Sequence, residues 1–445
     1  MKKRVKFYTL GCKTNQYETQ AIKEMLESTG AFAEAGPDEN GDIFIVNTCT
    51  VTAKADKESR WIIRRCHRES PEAEIVVTGC LTEIDENMIR DLPGVSVIVR
   101  NNDKDKIANI LTNDKSQVTS HPSTPLRAGK SQVIDRGSQI YTPFRISDFV
   151  GRDRAFIKVQ DGCDNFCSYC KVPLVRGTSR SRGLQDILEE TERLLERGFK
   201  ELVLTGICLG DWGRGLPGGM RLHNLVEKID SIDKDFRVRL SSIEPNMVTR
   251  ELIESIAASK KICPHLHIPL QSGSDKILKS MNRPYTAGDY IRIIKEAKRA
   301  IKDLSITSDI MIAFPGESER DFKETIKVLG QIGPSRVHIF SYSERGGTQA
   351  SRFKSAVSPH DVKKRREAVE RIANASSYRY RKRFVNRRVE GLVESRRDPA
   401  TSLLTGYTAE YIRFLLDGPD SLIGKLVPLK VQNVDSKSTY CKYLH

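Results

Sequence analysis

At 445 residues the chain is about three times the roughly 150 residues usual for one domain, so two or three separately packed units are expected. Hydrophobic residues make up 38% and charged residues 29%, which are globular values. No run nears the roughly 18 apolar residues that cross a bilayer, which excludes a membrane-spanning chain. Lys+Arg number 73 and Asp+Glu 58, a net charge of +15 that suits a polyanionic partner such as nucleic acid better than an acidic metabolite.

The opening Met1-Lys-Lys-Arg looks like the positive end of a signal peptide, but Gly11-Cys12-Lys13 cuts off the apolar stretch of roughly 7–15 residues that a leader needs. A cytoplasmic protein is expected. Residues 5–10, 43–46, 74–78 and 95–99 read as strands, with helical patterns at 19–29 and 53–66. This alternation predicts an α/β domain over 1–112, built on a doubly wound parallel sheet. Residues 113–147 are rich in Ser, Thr, Pro, Gly and charge without apolar periodicity and read as a linker. A second alternation fills 148–375, with strands near 156–159, 201–204, 237–240, 265–269, 307–312 and 336–340 and helices between them. About six such units predict a partial or complete parallel barrel with ligands at the C-terminal ends of the strands. Within 376–445, the segments 388–394, 410–416 and 425–431 are separated by Gly/Pro/Asp turns and predict a small all-β barrel.

Ten cysteines are too sparse for a disulfide scaffold and read as thiols or metal ligands. Cys163, Cys167 and Cys170 form CxxxCxxC directly after a strand. Three thiolates on one loop hold three corners of a cubic 4Fe-4S cluster and leave the fourth iron open. Structural zinc wants four ligands and fits less well. Cys12, Cys49 and Cys80 each follow a strand of the first domain, 31 to 37 residues apart. Loops after parallel strands converge on one sheet edge, so these thiols can meet as a second three-cysteine site. They can equally pack as small hydrophobes, as free cysteines commonly do. Cys66, Cys208, Cys263 and Cys441 read as structural.

The string CDNFCSYCKVPLVRGTSRSR from Cys163 resembles radical S-adenosylmethionine (SAM) enzymes, and its VPLVRG continuation resembles the methylthiotransferase branch. TLGCKTNQYET, NTCTVTAKAD and TGC in the first domain fit the same branch, as do LQSGSDKILKSMNRPYT, MIAFPGES and FSYSERGGTQA further on. The final module is similar to TRAM RNA-binding domains, and GCKTNQYE is closest to the MtaB-type group. The resemblance implies two 4Fe-4S clusters with SAM as cofactor. One cluster, on Cys163, Cys167 and Cys170, would chelate SAM; an auxiliary one, on Cys12, Cys49 and Cys80, would bind the sulfur to be transferred. A 5′-deoxyadenosyl radical would then remove hydrogen from carbon 2 of an adenine. The implied reaction converts N6-L-threonylcarbamoyladenosine at tRNA position 37 to its 2-methylthio derivative, with an electron donor protein and a sulfur source as further partners. Around SAM the resemblance puts Tyr169 on the adenine, Gly206 by the methionyl amine, and Ser242 and Glu244 by the carboxylate and ribose. Gln271 and Arg283 lie at a later strand end. The usual radical-SAM Gly-Gly-Glu is absent.

Between Lys363 and Arg388 stand eleven Lys/Arg against two Glu. Arg379, Arg381, Lys382 and Arg383 interleave with Tyr378 and Tyr380, so phosphate attraction and base stacking can coexist there; a solvated helix face is the plainer reading. Arg176 and Arg345, beside glycines near the inferred rim, are expected to grip a splayed nucleotide. Methylthiolation of isopentenyladenosine-37 tRNA or of a ribosomal protein are sister readings. An RNA-binding iron–sulfur regulator without turnover, or a zinc-bearing RNA-binding protein, would be different in kind.

Overall fold

A computed structural model describes residues 2–36, 38–112, 144–354 and 357–444. Most of the segment read as a linker, 113–143, lies outside the described residues. The chain divides into two compact units, residues 1–50 with 54–146 and residues 51–53 with 147–445.

The first unit contains β1 (Lys3–Thr9), α1 (Lys13–Ser28), β2 (Phe32–Glu34), β3 (Ile43–Thr48), α2 (Ala53–Glu69), β4 (Glu74–Gly79), α3 (Glu86–Arg90), β5 (Val95–Val99) and α4 (Ile107–Thr112). The sheet order is β2-β1-β3-β4-β5, with every pairing parallel. All six residues of β3 are buried, as a central strand covered on both faces requires. α2 turns Ser59, Ile63 and Cys66 inward at helical spacing. α1 starts directly after Cys12, six residues before the pattern that begins at Thr19, because polar Thr14, Asn15 and Glu18 are themselves buried.

The second unit opens with β6 (Ala155–Lys158), β7 (Gln160–Asp161), α5 (Val172–Arg176), β8 (Arg180–Ser181), α6 (Leu184–Glu196), β9 (Glu201–Thr205), α7 (Leu222–Asp230), β10 (Arg237–Leu240) and α8 (Arg250–Ala258). It continues through β11 (His265–His267), α9 (Asp275–Ser280), α10 (Ala287–Ala300), β12 (Ser305–Ile312), α11 (Glu319–Ile332) and β13 (Arg336–Ser341). β6, β9 and β10 form one parallel sheet and β11, β12 and β13 another. Single bridges from Val238 to Ile262 and from Ser242 to His267 join them. The result is a six-stranded partial (βα) barrel in sequence order.

α12 (Pro359–Lys382) follows as one continuous helix capped by Ser358, and residues 375 and 376 both lie inside it. A closed five-stranded barrel comes next: β14 (Arg388–Arg397), β15 (Leu404–Thr408), β16 (Arg413–Leu416), β17 (Leu426–Val434) and β18 (Thr439–Tyr443). Phe384, Phe414, Leu416, Leu429 and Val431 fill its core. This β-module grips the strand starts of the larger barrel through the fully buried Glu201 carboxylate. Arg237 Nε donates to it at 2.7 Å and Arg239 Nε at 2.9 Å. The same two guanidiniums donate to the carbonyls of Tyr407, Thr408 and Ala409 in the β-module. Burial alone would raise the Glu201 carboxyl, but Arg239 and Arg237 hold it well below the ordinary carboxylate range.

Candidate active site

In the first unit, Cys12, Cys49 and Cys80 follow the C-terminal ends of three adjacent strands, β1, β3 and β4. The glycines before Cys12 and Cys80 show how tightly these loops approach. Gly11 has φ +91°, and a Cβ there would lie 2.5 Å from Cys49 Sγ. Gly79 has φ +101°, and a Cβ there would lie 2.3 Å from the Thr48 carbonyl oxygen. Only glycine serves at either position. Asn15 Nδ2 donates to the carbonyls of Leu10 (2.8 Å) and Thr48 (2.9 Å), tying the Cys12 and Cys49 loops together. Ser59 Oγ meets both the N–H and the carbonyl of Cys49. Beneath them Lys104 Nζ reaches Asn47 Oδ1 at 3.2 Å and pairs with buried Glu18. Asn15, Asn47, Ser59 and Lys104 were not among the residues expected at this site; the N-T-C and G-C-K-T-N strings contain two of them.

In the second unit the Cys163–Cys170 loop follows β7, among the C-terminal strand ends of the partial barrel. Cys167 Sγ accepts a hydrogen bond from Arg283 Nη1 at 3.1 Å, and Cys170 Sγ one from the Val172 N–H at 3.4 Å. Burial pushes the Cys170 thiol up to about 12 and the Cys167 thiol upward. Ligation to iron, which deprotonates a thiol outright, reverses that cost. Arg283 also pairs with Glu244 and donates from Nε to the Tyr285 hydroxyl at 3.0 Å. Cys208 is buried beside Cys163, with Met247 Sδ 3.6 Å from its sulfur. Gly206, Ser242 and Gln271 follow β9, β10 and β11. Glycine at 206 makes room for Gln160, whose Oε1 would lie 2.9 Å from a Cβ there. Gln271 has φ +65°, held by backbone hydrogen bonds with Asp309 and Met311. The Tyr169 ring meets Phe314 edge-on, with centroids 6.3 Å apart.

Two family models match the chain: "Radical SAM superfamily" over residues 157–329 and "Uncharacterized protein family UPF0004" over residues 4–100. A Bacillus subtilis protein named threonylcarbamoyladenosine tRNA methylthiotransferase MtaB is 34% identical over 96% of this chain and 93% of its own length. The chain belongs to the radical-SAM methylthiotransferase family. A Pelotomaculum thermopropionicum member named tRNA-2-methylthio-N(6)-dimethylallyladenosine synthase is 31% identical over 96% of this chain and 95% of its own. Among solved structures, the radical SAM methyltransferase TsrM from Kitasatospora setae superposes with a TM-score of 0.58, covering 79% of this chain and 77% of that one, and at 14% identity supports the fold. Radical-SAM methylthiotransferases use SAM and 4Fe-4S clusters. The donor sets here fit such clusters: two separate groups of three cysteines, one per unit, each on loops at strand ends.

The arginines expected to meet RNA differ in their surroundings. Arg176 is buried and its Nη1 donates to Asp161 at 3.2 Å, directly before the cysteine loop. Arg381 is buried too, donating to the carbonyls of Ser438, Asp435 and Ser436, and it clamps α12 to the β-module. Tyr380 is buried and donates to the Asp303 carbonyl, which removes it as a stacking platform. Arg345 is 6% exposed. Arg379, Lys382 and Arg383 remain exposed, although Arg383 leans on Asp303 at 3.3 Å.

Proposed function

We propose that this chain converts N6-L-threonylcarbamoyladenosine at position 37 of tRNA to its 2-methylthio derivative in the cytoplasm. The observation that carries this reading is the pair of cysteine triads in separate units, within a chain aligned over nearly its whole length with threonylcarbamoyladenosine tRNA methylthiotransferases. Cys163, Cys167 and Cys170 would hold the SAM cluster, and Cys12, Cys49 and Cys80 the auxiliary one. When bound, these groups supply one-electron cleavage of SAM to a carbon radical and a sulfur atom for transfer. Cleavage consumes one electron and transfer consumes one sulfur per product, so an electron donor protein and a sulfur source are required partners.

The chain's own contribution is positional. Arg283 fixes the Cys167 sulfur and the Glu244 carboxylate in one span, and Tyr169, Gly206, Ser242 and Gln271 surround the same strand ends. The β-module and the exposed Arg379 and Lys382 would hold the tRNA body through its phosphates. No helix of the described residues is long and apolar enough to cross a membrane.

The test uses anaerobically reconstituted protein. Replacing Cys163, Cys167 and Cys170 with Ala should leave about half the iron and abolish 5′-deoxyadenosine formation. Replacing Cys12, Cys49 and Cys80 should also halve the iron, keep SAM cleavage and end methylthiolation. Full methylthiolation by the second triple variant would reject the reading. So would a preference for isopentenylated over threonylcarbamoylated tRNA.

A further inference from the structure

Three polar side chains on the inner wall of the partial barrel have no part in holding either cluster. His267 on β11, Asp309 on β12 and His338 on β13 bring their donor atoms within 4.8 Å of one another, all half-buried. The register explains the meeting: His267 lies opposite Thr307, and Asp309 opposite His338. Their orientation follows from strand alternation. Ser308 bonds the Tyr290 hydroxyl of α10 at 3.1 Å and Ser341 bonds Arg366 of α12 at 3.1 Å, so both face the outer helices. Asp309 and His338, at odd offsets from these, face the lumen.

A hydrogen-bond chain holds the trio in place. His265 Nε2 is 3.0 Å from Thr307 Oγ1, Thr307 Oγ1 is 2.8 Å from His267 Nδ1, and His267 Nε2 is 3.2 Å from Asp309 Oδ1. Both ring nitrogens of His267 are thereby engaged, Nδ1 with the Thr307 hydroxyl and Nε2 with the Asp309 carboxylate. Asp309 is thus oriented from behind and stands beside His338. Glu244, in electrostatic reach of both Asp309 and His267, pairs with Arg283, which touches Cys167. The trio therefore stands close to the reacting centre.

We propose that His267, Asp309 and His338 form the subsite that reads the amino-acid appendage of the modified adenosine, with the His338 imidazole taking its carboxylate and His267 holding Asp309 in place. This rests on the substrate reading given above. The appendage carries a carboxylate, a hydroxyl and ureido N–H groups, which match the His338 imidazole as donor and the Asp309 carboxylate as acceptor. An isopentenyl group offers none of these and would press a hydrocarbon against three half-buried polar groups, stripping water from them with no hydrogen bond in return. Sites built to hydrogen-bond a substrate reject analogues lacking that group by up to about 10⁴–10⁵.

The experiment measures binding of the reconstituted holoenzyme to three anticodon stem-loops: threonylcarbamoylated, the same with its carboxylate converted to the primary amide, and unmodified. Wild type should prefer the carboxylate form over the amide by about tenfold or more, the range of one charge-assisted contact. His338→Ala, its conservative partner His338→Asn, and His267→Gln should bring that ratio to within about twofold of one while the iron content and melting temperature stay at wild-type values, which a general loss of fold would not allow. Variants that keep the wild-type ratio would overturn the subsite. Wild-type preference for the modified stem-loop without discrimination against the amide would overturn carboxylate reading. A ratio abolished by EDTA would put a cation between the trio and the ligand and overturn direct contact. No wild-type preference for the modified over the unmodified stem-loop would instead reject the substrate reading itself.

Discussion

Arg283 is 8% exposed and joins three groups: the Cys167 sulfur, the Tyr285 hydroxyl and the Glu244 carboxylate. Replacing Arg283 with Met keeps an apolar stem of similar length and leaves the half-buried Glu244 carboxylate without its cation. Removing one partner of a buried pair costs about 3–5 kcal/mol; with Glu244 partly solvated the lower end applies, and at roughly 2 °C per kcal/mol for a unit of this size the melting temperature should fall about 6 °C. pH distinguishes this cause from ordinary packing loss. Burial already holds the Glu244 carboxyl above its ordinary 4.5, despite the opposing Arg283 charge. A carboxyl raised on folding contributes stability that is complete below the unfolded value and is lost as pH rises through the folded value. Without Arg283 that folded value climbs further, so the deficit of the variant should grow as pH rises from the ordinary carboxylate range toward neutrality and beyond. Adding Glu244→Gln removes the charge and should restore much of the loss and flatten the pH difference. Calorimetry of the reconstituted proteins across that range is the assay. A deficit that does not change with pH from the ordinary carboxylate range upward, or a double variant less stable than Arg283→Met alone, would refute the reasoning.

Glu201→Ala should destabilise the second unit by about 3–5 kcal/mol, since Arg237 and Arg239 would stay buried without their counter-charge; thermal unfolding measures this. Gly11→Ala or Gly79→Ala should lower the iron content by displacing Cys49 or the Thr48 backbone, while sparing 5′-deoxyadenosine formation; iron analysis beside a SAM-cleavage assay separates the two. Neutralising Arg379 and Lys382 should flatten the salt dependence of tRNA affinity by about 0.7–0.9 per lost phosphate contact in log–log slope. Arg381→Ala should lower thermal stability instead, leaving that slope unchanged, because its guanidinium is spent on barrel carbonyls.

What was legible in the sequence was what local spacing encodes. β3 reads as an apolar run because both its faces are covered, and CxxxCxxC reads as a cluster loop because its ligands share one turn of chain. The Cys12, Cys49 and Cys80 group needed the strand order, which puts β1, β3 and β4 side by side. The early start of α1 was hidden because Glu18 is buried by Lys104, 86 residues away, and polarity alone reads as exposure. The basic run was legible only in part, for a related reason. Composition counts charges but does not say which side of a helix they occupy, so Arg365, paired with Glu317, and Arg381 are brackets while their neighbours face solvent. His267, Asp309 and His338 lie on three strands, and only inward parity on consecutive strands would have linked them.

The β-module has a consequence for access to the lumen. Glu201, Arg237 and His265 open β9, β10 and β11, so the module's attachments lie at the strand starts, opposite the cysteine loop. Tyr411 of the module stacks on His265 with centroids 4.3 Å apart and lies 4.8 Å beneath the Arg239 guanidinium. That end of the barrel is therefore occupied by packed aromatic and charged groups, so the module closes the end opposite the cysteine loop. His265 is also the first member of the hydrogen-bond chain that ends at Asp309. The module thereby touches, through one stacked ring, the hydrogen-bond chain that reaches the lumen. Tyr411→Ala should loosen that chain and blunt discrimination between carboxylate and amide stem-loops, while leaving the exposed basic face of α12 and its salt dependence intact.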